Sequence, residues 1–228
     1  MAKVYLFFLL FLSISCIQSK QKTEKAGNYT AKKEIALKIK EEIKKPLYLD
    51  NKNAIPFLYE YGKNNPENKI RIITKYGNID ILLYENTKYH RANFIYLTKI
   101  NYFENSMFHR VVKDFIIQGG NSDNINISKK RKKIGRYLLP PDTDKGHNHK
   151  RGVISMPSSE IDNPHKMASP YEFFIVQQSQ GAHHLDGSYT AFGEVISGMD
   201  VVDKINSQPT DQKEMPRENI YLKTIIIE

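Results

Sequence analysis

The chain has one cysteine, Cys16, and no tryptophan in 228 residues. A single thiol excludes an intramolecular disulfide and any zinc site built from several thiolates, so a packed core has to supply the stability. No apolar run approaches the roughly 20 residues that a bilayer-spanning helix needs; the longest, residues 4–12, has nine. A basic face is also missing from most of the chain. Lys and Arg exceed Asp and Glu by nine, but residues 20–45 hold nine Lys against four Glu, and residues 129–136 hold six cations and no acid. The remainder is slightly acidic, so the two basic runs read as a solvated tail and a solvated loop, and nucleic acid is not an expected partner.

What is present begins with 11 Phe and 14 Tyr, enough large side chains to fill an interior. The N-terminus has the layout of a secretory signal: a cationic start at residues 1–3, the apolar stretch VYLFFLLFL, then Ser13, Ile14, Ser15 and Cys16. Small residues leading into a lone cysteine resemble the bacterial lipobox, although Ser13 stands where that motif usually has Leu. The expected organisation is a signal peptide at 1–15 and a tether at 16–46 attached to a membrane through lipidated Cys16. An extension at 47–68 is expected to pack on a globular domain at 69–228, and the protein is expected to face the periplasm or cell surface. An ordinary secretory signal with an incidental cysteine is the alternative. Within the tether, Ile35, Ile39 and Ile43 recur every four residues before Pro46, the pattern of a thin spacer helix.

Further along, Asn53 and Gly62 bracket a short helix at 53–61. Two β-rich runs at 70–74 and 78–83 meet at Tyr76-Gly77 and read as a hairpin. Residues 87–101 and 199–205 read as helices, and short apolar strands are expected at 107–112, 115–118, 153–156, 173–176 and 220–227. Many short strands with few helices point to a mainly β fold, a closed antiparallel barrel rather than alternating β-α units.

One strand carries a charge that needs a reason. Alternation along Phe108-His109-Arg110-Val111-Val112 puts Arg110 on the face of Phe108 and Val112. The segments FHRVVKDFIIQGG, EFFIV and LDGSYTAFGEV, in that order after RANFIYL, resemble the signature segments of the cyclophilin family of peptidyl-prolyl cis/trans isomerases. The resemblance covers about residues 69–228. It implies an eight-stranded antiparallel cyclophilin-like barrel capped by two helices, with an active groove on its outer surface. It further implies a catalytic set of Arg110, Phe115 and Gln118, with Ile116, Phe174, Leu185 and Tyr189 around a proline pocket.

Ile116 falls where the family usually has Met. Pro157 and Ser158 replace a usual Ala-Asn pair at the substrate groove, Glu172 replaces a Gln ahead of the two aromatics, and His184 precedes Leu185 where eukaryotic members often have Trp. Glu172 is expected near Arg110, and Gln118 is expected to orient the arginine or a substrate carbonyl. Rotation about an amide makes and breaks no covalent bond, so no cofactor and no metal are expected. The expected partners are proline-containing polypeptides and a membrane, and the expected state is a monomer. The rival reading is a module that captures proline-containing segments with little turnover, weakened by Pro157, Ser158 and Glu172.

Overall fold

The computed structural model describes residues 47–158 and 164–227. The expected signal peptide, Cys16 and the tether with its spacer helix lie outside the described residues. The hairpin forms as its alternation dictates. In β2 (Lys69–Thr74) and β3 (Gly77–Leu83), Ile70, Ile72, Ile79, Ile81 and Leu83 are buried. On the opposite face Arg71 Nε and Nη2 donate to the Asp80 carboxylate at 2.7 and 2.8 Å, across a register that pairs those two residues.

Four further long strands and two shorter ones complete a closed barrel: β4 (Ser106–Val112), β5 (Ile116–Asn121), β7 (Val153–Ser155), β8 (Phe173–Val176), β9 (Ala191–Ser197) and β10 (Tyr221–Ile226). Their order is β10-β2-β3-β9-β7-β8-β5-β4, and β10 returns to β4 through Tyr221–Met107 and Leu222–Ser106 pairs. Every barrel pairing is antiparallel, and because β10 closes on β4 the sheet has no free edge to protect. The helix α2 (Lys88–Lys99) buries Phe94 and Leu97. Phe94 meets Phe103, Phe173 and Phe192 at ring distances of 4.9, 5.5 and 5.6 Å. A later helix, Met199–Asn206, buries Val201, Val202 and Ile205.

Three elements differ from the reading of the sequence. The helix α1 (Ala54–Asn64) runs through Gly62 instead of ending before it. A Cβ at Gly62 would lie 3.1 Å from the Ala92 Cβ, so the glycine permits α1 to approach α2 rather than stopping α1. Arg91 of α2 caps that end, donating to the carbonyls of Gly62, Asn65 and Glu67 at 3.0–3.1 Å. The basic stretch expected as a loop forms α3 (Ile125–Ile134). Asn124 caps it through Oδ1, which accepts from Asn126 N at 2.9 Å, and Ile127 and Ile134 bury one stripe while the lysines face outward. Gly135–Arg136, labelled β6, pairs in parallel with Leu49–Asp50, labelled β1. Strand β9 is not among the strands expected from the sequence. The helix at Met199–Asn206 is α4.

Candidate active site

Strand β4 does not alternate regularly. Phe108 faces Gly119 and Arg110 faces Gln118, so β4 advances two residues while β5 advances one, and His109 is the extra residue of a bulge. The bulge turns Phe108 and Val111 into the main core, whereas Arg110 and Val112 remain on the outer face. Phe108 and Arg110 therefore do not share a face, contrary to simple alternation. In a regular strand His109 would face Gln118 and Arg110 would be directed into the barrel. Its side chain instead retains 40% of its exposure.

On the same outer face, reached across the sheet from Arg110 through Gln118 to Phe174, lies a second apolar cluster, separate from the barrel interior. Ile116, Phe174, Val176 and Ala182 are buried in it, with half-buried Val112, Phe115, Leu185 and Tyr189 packed around them. The sheet explains the division: Ile117, Phe173 and Ile175 point inward, and their neighbours Ile116, Phe174 and Val176 point outward. Five predicted pocket residues, Phe115, Ile116, Phe174, Leu185 and Tyr189, thus meet in one place. Phe174 and Tyr189 make an edge contact at 6.0 Å, and the His184 ring stacks on Phe115 at 5.3 Å. Pro157 and Ser158 follow β7; Pro157 O accepts from Ser169 N at 2.8 Å, and Ser158 bridges Ala168.

The charges are distributed differently from the sequence expectation. Arg110 Nε donates to Glu214 Oε2 at 2.7 Å, so the acid beside the arginine is Glu214 and not Glu172. Gln118 Nε2 donates to Glu172 Oε2 at 3.0 Å, and orients that carboxylate instead of Arg110. Asn121 Nδ2 also donates to Glu172, at 3.2 Å, and His109 and Arg131 stand 3.6 Å away. The physical reason is α3: a helix in place of a loop delivers Arg131, whose guanidinium lies 5.0 Å above the Tyr171 ring. Burial by itself would raise the Glu172 carboxyl, but the hydrogen bonds and charges of His109, Arg131 and Gln118 outweigh it and hold the group below its ordinary value.

Under the pocket is a polar support that the sequence did not signal as functional. Asp186, between Leu185 and Tyr189, accepts from His149 N at 2.7 Å, Asn148 Nδ2 at 3.0 Å and the His149 and His183 Nδ1 atoms at 2.8 and 3.0 Å. His149 Nε2 lies 3.1 Å from Ser155 Oγ, which donates to Thr190 O at 2.7 Å. The imidazole lies near-parallel to the Phe174 ring at 6.1 Å. Ser155 is fully buried and its proton goes to a backbone carbonyl, so the Asp-His-Ser sequence of contacts is a brace and not a nucleophile.

The brace makes stability pH-dependent. Burial depresses the His149 imidazole despite the upward pull of Asp186. Asp186 is held far below the ordinary carboxylate range, because its backbone and side-chain hydrogen bonds overcome its desolvation. The unfolded chain takes up a proton near pH ~6.5 that folded His149 declines, so that contribution is complete above ~6.5 and shrinks as pH falls. The Asp186 and Glu172 contributions are complete above about pH 4 and vanish as pH drops through their lower folded values. Thermal melts should show a flat Tm above about pH 7 and a progressive fall from about pH 6 downward. A Tm constant to pH 4 would contradict this.

A separate cleft of about 730 Å³, lined by Tyr48, Arg131, Arg136, Tyr137 and Tyr171 among others, holds none of the predicted pocket residues. Among the described residues no group of three or more His, Cys, Asp or Glu is placed to hold a metal ion.

Comparison with known proteins follows the same lines. The family model for the cyclophilin type peptidyl-prolyl cis-trans isomerases matches residues 69–226. A peptidyl-prolyl cis-trans isomerase of Acinetobacter baylyi is 30% identical over 164 residues, covering 69% of this chain and 84% of that protein. The peptidyl-prolyl cis-trans isomerase-like 2 of Rhizopus delemar is 37% identical over 169 residues, covering 73% of this chain but only 30% of that longer protein. Among solved structures, a Cryptosporidium parvum cyclophilin type peptidyl-prolyl cis-trans isomerase is similar with a TM-score of 0.59 and 27% identity, covering 71% of this chain and 98% of that one. The same Cryptosporidium enzyme, crystallised in the presence of the dipeptide Ala-Pro, gives a TM-score of 0.58, with 70% of this chain and 99% of that one covered.

Proposed function

Because the chain belongs to the cyclophilin-type peptidyl-prolyl cis-trans isomerase family, we propose that it accelerates X-Pro isomerisation in exported polypeptides while tethered to the cell envelope through a lipid on Cys16. The observation that carries the catalytic part is the position of Arg110: outward, half-exposed, and on the sheet face where its partner Gln118 pairs with Phe174 of the apolar cluster that also holds Phe115 and Leu185. The tether rests on the sequence of residues 1–16. No helix among the described residues is long and apolar enough to cross a membrane.

The mechanism follows from amide chemistry. The rotation barrier of about 18–20 kcal/mol is the loss of resonance between the prolyl nitrogen and the carbonyl. As the bond twists, the nitrogen regains its lone pair and becomes an acceptor. A guanidinium aimed at that nitrogen gains a hydrogen bond that is absent in the planar ground state, which is the differential binding that lowers a barrier. Arg suits the task because it is always charged and its donors form a rigid fork. Reducing a step of tens of seconds to milliseconds requires about 5–6 kcal/mol. A charged hydrogen bond at an outward-facing arginine, combined with a proline ring seated on Phe115, Phe174 and Leu185, is of the right kind.

Two measurements test the proposal. NMR exchange on a short X-Pro peptide should show cis/trans interconversion accelerated by catalytic amounts of the protein; a rate equal to that of the peptide alone would refute the isomerase. For the anchor, metabolic labelling with a fatty acid should mark the wild type and be lost in Cys16→Ala, and an unlabelled wild type would remove the lipid.

A further inference from the structure

One of the three guanidinium nitrogens of Arg110 is already engaged. Nε donates to Glu214 Oε2 at 2.7 Å, which leaves both Nη groups to donate to a substrate. Glu214 lies between α4 and β10, a segment that contains none of the family's signature stretches. Its own backbone is unusual: φ is +63°, a left-handed conformation that a non-glycine residue holds only where its surroundings enforce it. Those surroundings are specific. Val111, next to Arg110 on β4, donates its N–H to Glu214 O at 2.7 Å, and Glu214 N donates to Asp211 O at 3.1 Å. Asp211 Oδ1 accepts from Lys213 N and Met215 N at 2.8 and 2.9 Å, and Thr210 bridges Pro216 below the turn. A braced turn therefore holds a carboxylate on the Nε edge of the guanidinium, and the end formed by its two Nη groups stays open.

We infer that Glu214 is a positioning residue for the isomerase reaction, fixing the plane of the Arg110 guanidinium through Nε so that its Nη edge faces the prolyl nitrogen. The inference rests on the isomerase reading above. The need for such a partner is physical. Arg110 is long and half-exposed, Gln118 is committed to Glu172, and an unheld arginine spends much of its time in rotamers that miss the nitrogen. A carboxylate on an Nη group would compete with substrate. One on Nε does not.

The test compares two variants of the full chain. Glu214→Gly removes the side chain while tolerating φ +63° without strain, and Glu214→Gln keeps an oxygen to accept from Nε. On a short X-Pro peptide, Glu214→Gly should lower kcat/KM about tenfold, mainly through kcat, since a misdirected group costs turnover more than affinity. Glu214→Gln should stay within about threefold of wild type. The Nε–Hε resonance of Arg110 should be resolved in wild type and Glu214→Gln, and broadened by exchange in Glu214→Gly. A merely structural role would move neither this resonance nor the split between kcat and KM. Wild-type or higher turnover in Glu214→Gly overturns the inference, as does a Glu214→Gln variant as slow as Glu214→Gly. An inactive wild type would instead refute the isomerase reading itself.

Discussion

Arg110→Ala is expected to lower kcat/KM for a short X-Pro peptide by about 10²–10³-fold, the loss typical of removing one preorganised donor from a developing charge. The loss should appear in kcat more than in KM. The proline ring is held by Phe115, Phe174 and Leu185, none of which the substitution touches, while the hydrogen bond to the prolyl nitrogen exists only as the bond twists. Folding should hardly change. The arginine and its partner Glu214 are 40% and 41% exposed, and such a pair contributes less than about 1 kcal/mol. Tm should therefore drop by no more than about 4 °C. Arg110→Lys should recover little, because an ammonium lacks the second donor edge that lets Glu214 fix one side while the other meets substrate. An Arg110→Ala enzyme within tenfold of wild type would show that the pocket alone carries the rate.

The largest stability effect is expected from Asp186→Ala. This carboxylate accepts four hydrogen bonds, three of them from Asn148 and His149 and one from His183. It fastens the loop bearing Leu185 and Tyr189 to the segment leading into β7. The exposed His183 bond contributes little, but those from buried His149 go to a charged acceptor and together are worth about 3 kcal/mol. For a domain of this size that is a Tm lower by roughly 6–12 °C. The variant should also lose affinity for proline peptides, since Leu185 and Tyr189 would no longer be held against Phe174. A further consequence separates this account from generic damage: the part of the acid slope below about pH 4, where Asp186 itself titrates, should flatten in Asp186→Ala, while the His149 limb above it persists. An unchanged Tm would mean that the loop is held by its apolar contacts alone.

Much of the barrel was legible because its strands bury one face in a regular alternation. Ile70, Ile72, Ile79 and Ile81 need only a two-residue period to be placed inward, and the all-apolar FFIV segment at Phe173–Val176 marks a strand covered on both faces. What failed did so where a residue serves tertiary contact rather than local preference. Gly62 reads as a helix end, and the segment around Gly193 does not read as a strand. Gly62 sits inside α1 because Ala92 approaches it, and Gly193 sits inside β9, where a Cβ would lie 2.6 Å from Leu82 O. The basic run at 129–136 read as solvent-exposed loop because charge conceals the sparse apolar stripe of Ile127 and Ile134.

The outward pocket was legible through motif positions, and its assembly follows from period two on β5 and β8. The bulge at His109 was not. Nothing in FHRVV distinguishes a regular strand from one carrying an extra residue, and that residue decides whether Phe108 accompanies Arg110 or opposes it. Glu214 was equally silent, since a carboxylate 104 residues along the chain reaches Arg110 only through the closure of β10 on β4. Glu172 misled in the opposite direction. Its position beside two aromatics placed it near the arginine, but Arg131, Gln118, Asn121 and His109 all claim it.

The most direct test of the catalytic arrangement is to locate the substrate proline itself, by intermolecular NOEs between an Ala-Pro-containing peptide and the protein. The pyrrolidine protons should contact the rings of Phe115 and Phe174 and the methyls of Leu185, with the Arg110 Nη protons near the prolyl nitrogen. A ring that instead contacts Tyr48, Tyr137 and the other walls of the basic cleft, or that gives no contact with Phe115 and Phe174, would contradict the assignment of Arg110 as the group that lowers the barrier.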